Sequence, residues 1–179
     1  PGLTLSIGEV SKFETIMETA KKAIYSFLAG EKSTLKVYEM DHPDVLLWAV
    51  WTVQQYAKMV SRESAKEKYA QLLKDIMIYL LDGKHPNLEI RENGLVYANG
   101  RDKAITWMNS TVNGRPVVAR TGYIVEYNSL WYNALCFTAD IAEEMGDTYY
   151  STKMKSMAEV AGKSFISAFL NEYGYLLDY

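Results

Sequence analysis

Residues 106–135 gather side chains that a plain apolar core does not need. Thr106, Trp107 and Asn109 stand together in the string Thr106-Trp107-Met108-Asn109, and Arg120, Glu126, Asn128, Trp131 and Tyr132 follow within 119–135. Flat aromatic faces stack on the apolar faces of pyranose rings, while Arg, Glu and Asn offer paired donors and acceptors to vicinal hydroxyls. The set therefore suits carbohydrate recognition. Trp107, Trp131, Tyr132 and Tyr97 are its candidate stacking wall. The plain alternative is that Trp131 and Tyr132 fill an inner helix, since Trp and Tyr are largely buried on average. Trp48 reads as core.

Two carboxylates, Asp44 and Glu126, fall at the starts of the two most apolar helical stretches. A helix N-terminus favours the ionised form, so both are expected to be charged acceptors for sugar hydroxyls rather than proton donors. Ordinary N-terminal capping by acids is the competing explanation. His42 and His85 each stand beside a proline with no partner at metal-ligand spacing and read as surface-loop residues. No glycine-rich phosphate loop, Ser-His-Asp order or CxxC is present, and no metal or cofactor is expected.

The elements that must position these groups are helical. Ser11 with Glu14 makes a capping-box pattern ahead of Phe13, Ile16, Met17, Ala20, Ile24, Phe27 and Leu28, which predicts an amphipathic helix over about 11–29. A stretch apolar nearly all round predicts a buried helix over about 44–60. Ser64 with Glu67 opens an amphipathic helix over about 64–82, closed by Gly83. Alternation around Asn93-Gly94 predicts a type I′ hairpin within 88–98, followed by a long loop over 100–122, a length that is usually functional. A buried helix over about 125–145 and an amphipathic one over about 151–170 complete the chain. Outer and inner helices thus alternate, the rhythm of antiparallel helix hairpins, and the expected fold is all-α in a single domain over 1–179. There is no heptad run, low-complexity segment or further repeat.

With 179 residues and 49% hydrophobic content the chain can bury a sizeable core. A net charge of −3 with interspersed lysines and acids leaves no basic stripe for nucleic acid and no polybasic membrane patch. Cys136 is the sole cysteine and reads as a small buried hydrophobe in a helix, which suits a reducing compartment. No apolar run reaches membrane-spanning length. The chain opens on Pro1-Gly2-Leu3-Thr4 and closes on a strand-like 174–179, and it reads as a piece of something longer.

The strings TWMN, VVARTG, VEYN and SLWYNAL resemble the signature of the amylo-α-1,6-glucosidase domain of glycogen debranching enzymes, which reads TWMD, PR and G, VEIN and LWYNAL. Tyr38, residues 44–48 and 53–56, the 93–98 turn and the 169–178 block match further family strings in order. The resemblance implies an (α/α)6 toroid of twelve helices, of which this chain is an arc. It implies inverting hydrolysis of an α-1,6-linked branch glucose on glycogen or limit dextrin in the cytoplasm. That chemistry needs one carboxylic acid and one carboxylate roughly 6.5–9.5 Å apart. The family's acid falls at Asn109, and its base lies beyond Tyr179. An amide has no proton to transfer near neutral pH, so an acid contribution of roughly 10²–10⁴-fold is expected to be missing. Asp102 lies on the same loop, but spacing gives it no claim to the role. The resemblance also implies that Asp44, Tyr97, Thr106, Trp107, Arg120, Glu126, Asn128, Trp131 and Tyr132 meet the glucan. The partners implied are an α-glucan and the remainder of the catalytic domain or a second copy, with no nucleic acid or membrane. A non-catalytic carbohydrate-binding module and a helical interaction domain are the alternatives.

Overall fold

Apolar residues at helical spacing bury one face of each amphipathic segment, and a computed structural model places six helices and two small hairpins among residues 2–31, 40, 42–100 and 103–178, which it describes. The Tyr38 match and the Asp102 alternative lie outside the described residues. The helices are α1 (Gly2–Ser6), α2 (Val10–Leu28), α3 (Val45–Met59), α4 (Arg62–Leu81), α5 (Val125–Glu144) and α6 (Thr148–Phe169). The fold is all-α, as the periodicity predicts, and α1 is the one helix that the sequence reading does not contain.

The two stretches expected to be inner helices, α3 and α5, pack against each other, with α4 against both and α6 along α5. Leu46, Leu47, Val50 and Val53 of α3 and Tyr127, Trp131, Ala134 and Leu135 of α5 are fully buried in this seam. Trp48 departs from its expected core role. It stands on the outer side of α3, 45% exposed, edge-on to Trp51.

Both capping boxes are displaced. Ser11 lies inside the first turn of α2, whose N-cap is Glu9 with no side-chain cap bond. The N-cap of α4 is Ser61, whose extended backbone lets its Oγ accept the Ser64 N–H at 3.1 Å. Helix α6 starts ahead of its expected position because the Asp147 carboxylate accepts the Tyr150 N–H at 3.1 Å.

Strands β1 (Leu88–Ile90) and β2 (Val96–Ala98) pair antiparallel, Ile90 opposite Val96. Their turn is not type I′. It spans Arg91 to Gly94, closed by the Gly94 N–H on the Arg91 carbonyl at 2.8 Å, with φ positive at Gly94 (79°) and not at Asn93. The two-residue turn with both φ values positive lies elsewhere in the long loop. Asn113 (φ 51°) and Gly114 (φ 75°) join β3 (Thr111–Val112) to β4 (Arg115–Pro116). His85 is not a surface residue. It is 4% exposed, its Nδ1 accepts the Asn87 N–H at 3.1 Å, and its ring meets Phe27 and Tyr79 edgewise. Cys136 is half-buried in α5.

Candidate functional site

The N-terminus of α5 is assembled from four parts of the chain. Ile124 enters it with extended backbone, and Asn128, one turn on and 1% exposed, fixes what surrounds it. The Asn128 amide accepts the Val96 N–H at 2.8 Å and donates to the Val96 and Ile124 carbonyls at 3.0 Å each. It thus staples β2 to the start of the helix. An antiparallel bridge between Ala98 and Gly122 holds the end of the long loop against the same strand. The Tyr127 hydroxyl donates to the Ile105 carbonyl at 2.8 Å and anchors the loop's beginning.

These contacts bring Arg120 under the helix start, where it is 2% exposed. Its guanidinium forks onto both carboxylate oxygens of Glu126, NH1 to Oε1 and NH2 to Oε2 at 2.8 Å, and NH2 also donates to Asp178 Oδ1 at 2.6 Å. Burial opposes the Arg120 charge, but Glu126 and Asp178 outweigh it and hold the group above its ordinary range. The Asp178 carbonyl accepts the Val125 N–H at 3.0 Å, so the C-terminal segment closes onto the first turn of α5. The Glu126 and Asp178 side chains remain 28% and 53% exposed. They present carboxylate oxygens outward from a buried cation.

Asp44, the residue before α3, adds a third carboxyl at this end. It makes no cap hydrogen bond and its Oδ2 accepts the Trp48 indole N–H at 3.1 Å. Burial pushes its pKa up, and the neighbouring Glu126 charge adds to this against the opposing Trp48 and backbone hydrogen bonds. The expected N-terminal stabilisation of the ionised form is thus overturned at Asp44, because desolvation is the larger effect there. The Tyr127 phenol, buried between Asp44, Glu126 and Arg120, is raised by burial first and by the two carboxylates second.

Asp44, Arg120 and Glu126 form one cluster, and the other candidates fall outside it in different ways. Trp131 is fully buried and its indole N–H donates to the Gly94 carbonyl at 3.0 Å. Neither Trp131 nor Asn128 offers a surface, so both serve the packing of the hairpin on α5. Thr106 is buried, its Oγ1 accepting the Met108 N–H at 3.2 Å in a turn that projects Trp107, 69% exposed, and the exposed Asn109. Tyr97 is half-buried, edge-on to Tyr123 and beneath the Arg91 guanidinium at 4.4 Å. Tyr132 lies one turn further along α5, 44% exposed, in a groove of about 420 Å³ with Ser129, Gly162, Phe165 and Ile166.

Sequence reasoning missed Asp178 as a member of the cluster. It ends a matched string, yet no periodicity links it to a loop arginine 58 positions earlier. Among the described residues no group of three His, Cys, Asp or Glu side chains is arranged to hold a metal. None of their helices is long and apolar enough to cross a membrane.

Helix hairpins with carboxyls at the N-terminal ends of two packed helices define an all-α domain with an acidic cluster at one end, and the comparisons narrow the class. A family model described as amylo-alpha-1,6-glucosidase matches residues 15–179, and the chain belongs to that family, related to glycogen debranching enzymes. No curated protein and no solved structure matches the chain.

Proposed function

We propose that this chain forms one wall of an α-glucan site in an arc of an (α/α)6 glucosidase domain acting on α-1,6 branch glucose, and that it does not hydrolyse the bond by itself. The observation that carries the reading is the joint position of Asp44 and Glu126 at the same end of adjacent helices, with Glu126 held by the buried fork of Arg120. A carboxylate fixed in this way keeps outward oxygens ready for vicinal hydroxyls without losing side-chain freedom on binding. Trp107 and Asn109 on the adjoining loop supply an exposed aromatic face and an amide where the family pattern has an acid. That amide can hydrogen-bond a glycosidic oxygen but cannot protonate it.

Membership of the family supports a glycogen-related substrate and a cytoplasmic setting. A second copy or the rest of the ring is the proposed cover for apolar surface on α6 and the segment after it, where Val160, Ile166, Leu170, Leu176 and Leu177 are exposed. The test is calorimetric titration of the chain with maltose, isomaltose and a limit dextrin, read beside glucose release from the dextrin. Binding without glucose is expected, weakened about tenfold in Glu126→Gln by loss of a charged hydrogen bond. Glucose release would overturn the reading of Asn109, and absence of binding would overturn the glucan wall.

A further inference from the structure

The chain carries three Asn-Gly pairs. Asn99-Gly100 is half-buried to buried, with Gly100 close against Ile105, and from the contrast between the two that stand at hairpin turns we infer that Asn113-Gly114 is a site of spontaneous deamidation while Asn93-Gly94 is protected. The reaction is internal. The Gly114 backbone nitrogen loses its proton and attacks the Asn113 side-chain carbonyl carbon, Cγ. The bond from that carbon to the side-chain nitrogen breaks, and ammonia leaves with the proton. The resulting five-membered succinimide takes up water at either carbonyl to give aspartate or isoaspartate. Glycine favours the attack because no Cβ shields its nitrogen and its backbone turns freely.

At Asn113 nothing opposes this. Asn113 and Gly114 are both exposed, the Gly114 N–H makes no hydrogen bond, and the Asn113 side chain has no partner. Both strands of the hairpin are two residues long, and Thr111, Val112 and Arg115 are exposed, so opening the turn to reach attack geometry costs little. Asn113 also sits at φ 51°, in the left-handed region that the turn requires. A Cβ built on Gly114 meets nothing within 4 Å, so no neighbour restrains the movement.

At Asn93 every requirement is blocked. The Gly94 N–H donates to the Arg91 carbonyl at 2.8 Å, and Asn93 Oδ1 accepts the Leu95 N–H at 3.1 Å. The Gly94 carbonyl accepts the buried Trp131 indole N–H. Gly94 itself lies against α6, where a Cβ would stand 3.0 Å from Val160 Cγ1 and 3.1 Å from the Ala161 nitrogen. The nucleophile is tied and cannot approach the amide without unpacking the hairpin from two helices.

The product carries consequences for the loop that holds Trp107 and Asn109. Aspartate adds a negative charge at the tip. Isoaspartate lengthens the backbone by one carbon and destroys the pairing of Val112 with Arg115. The experiment is peptide mapping by mass spectrometry, with isoaspartate-specific methylation, of the folded chain aged at mildly alkaline and mildly acidic pH. Asn113 is expected to be lost, faster at alkaline pH, with Asn93 intact. In denaturant both sites are expected to convert alike. Equal conversion of the two sites in the folded chain, survival of Asn113 under conditions that convert both in denaturant, or unequal rates in denaturant would each overturn the inference.

Discussion

Asn128 holds the hairpin, the loop carbonyl of Ile124 and α5 together through a single amide, and its removal strands paired backbone groups of Val96 in an apolar setting. Asn128→Ala is expected to cost about 2–4 kcal/mol, read as a lowered urea midpoint at unchanged slope. A loss below a few tenths would mean that water replaces the amide. Two carboxyls make opposite pH predictions. The Asp44 pKa is raised above 3.8, chiefly by burial, so its favourable contribution is present in acid and disappears as pH rises through the folded value. Asp44→Asn is therefore expected to raise the melting temperature at neutral pH and leave it unchanged below pH 3.8. Glu14 lies below 4.5, held there first by Lys68 and then by the Tyr56 hydroxyl. Its contribution is present above pH 4.5 and is lost on acidification, so Glu14→Gln is expected to lower the melting temperature at neutral pH and to converge with the parent chain in acid. At this scale the sequence shows residue types but not their surroundings. Asn128 and Glu126 read alike as sugar-binding groups, and only their burial separates a staple from an acceptor facing solvent.

Helices were legible because their apolar faces repeat over many turns, and their ends were less so because a cap depends on one backbone conformation. The run Ser61-Arg62-Glu63-Ser64-Ala65-Lys66-Glu67 offers two serines three positions apart, each with the right neighbours to open a helix. The extended backbone of Ser61 (φ −164°, ψ 127°) decides between them. Ser61→Ala is expected to cost about 1 kcal/mol by chemical denaturation, whereas Ser64→Ala, inside the first turn, should cost no more than a few tenths. Equal losses would restore the displaced capping box. The hairpins follow the same logic. The two Asn-Gly pairs at hairpin turns carry the type I′ signal, but packing of Gly94 on α6 imposes another turn, and of these two only the unpacked hairpin at Asn113-Gly114 follows local preference. His85 was misread for a related reason, since a lone histidine beside a proline gives no hint of the Phe27 and Tyr79 rings that enclose it.

For the molecule as a whole, the pairing of α3 with α5 follows from two segments too apolar to face water, and the site follows from their N-termini lying together, where Asp44 feels the Glu126 charge. Arg120 then joins loop, helix and C-terminal segment through one guanidinium. Arg120→Gln is expected to release residues 170–178 first, seen as faster hydrogen exchange at the Val125 amide and earlier proteolysis of that segment, with the α3–α5 core still protected. Uniform loss of protection would show that the tail is no separate unit. The order in which these contacts become available is set by synthesis. Arg120 and Glu126 are six positions apart and meet as soon as α5 begins to form, whereas Asp178 is 58 positions from Arg120. On a chain that emerges from its N-terminus, the nascent helix pair is in place before its last counter-ion exists. Until then Glu126 holds a cation out of water without the help of Asp178, and the Val125 amide lacks the Asp178 carbonyl that it later meets. Synthesis thus reaches the residue that completes the cluster only after α2 to α6 have all been made, and a chain interrupted a few codons before Asp178 leaves this corner open.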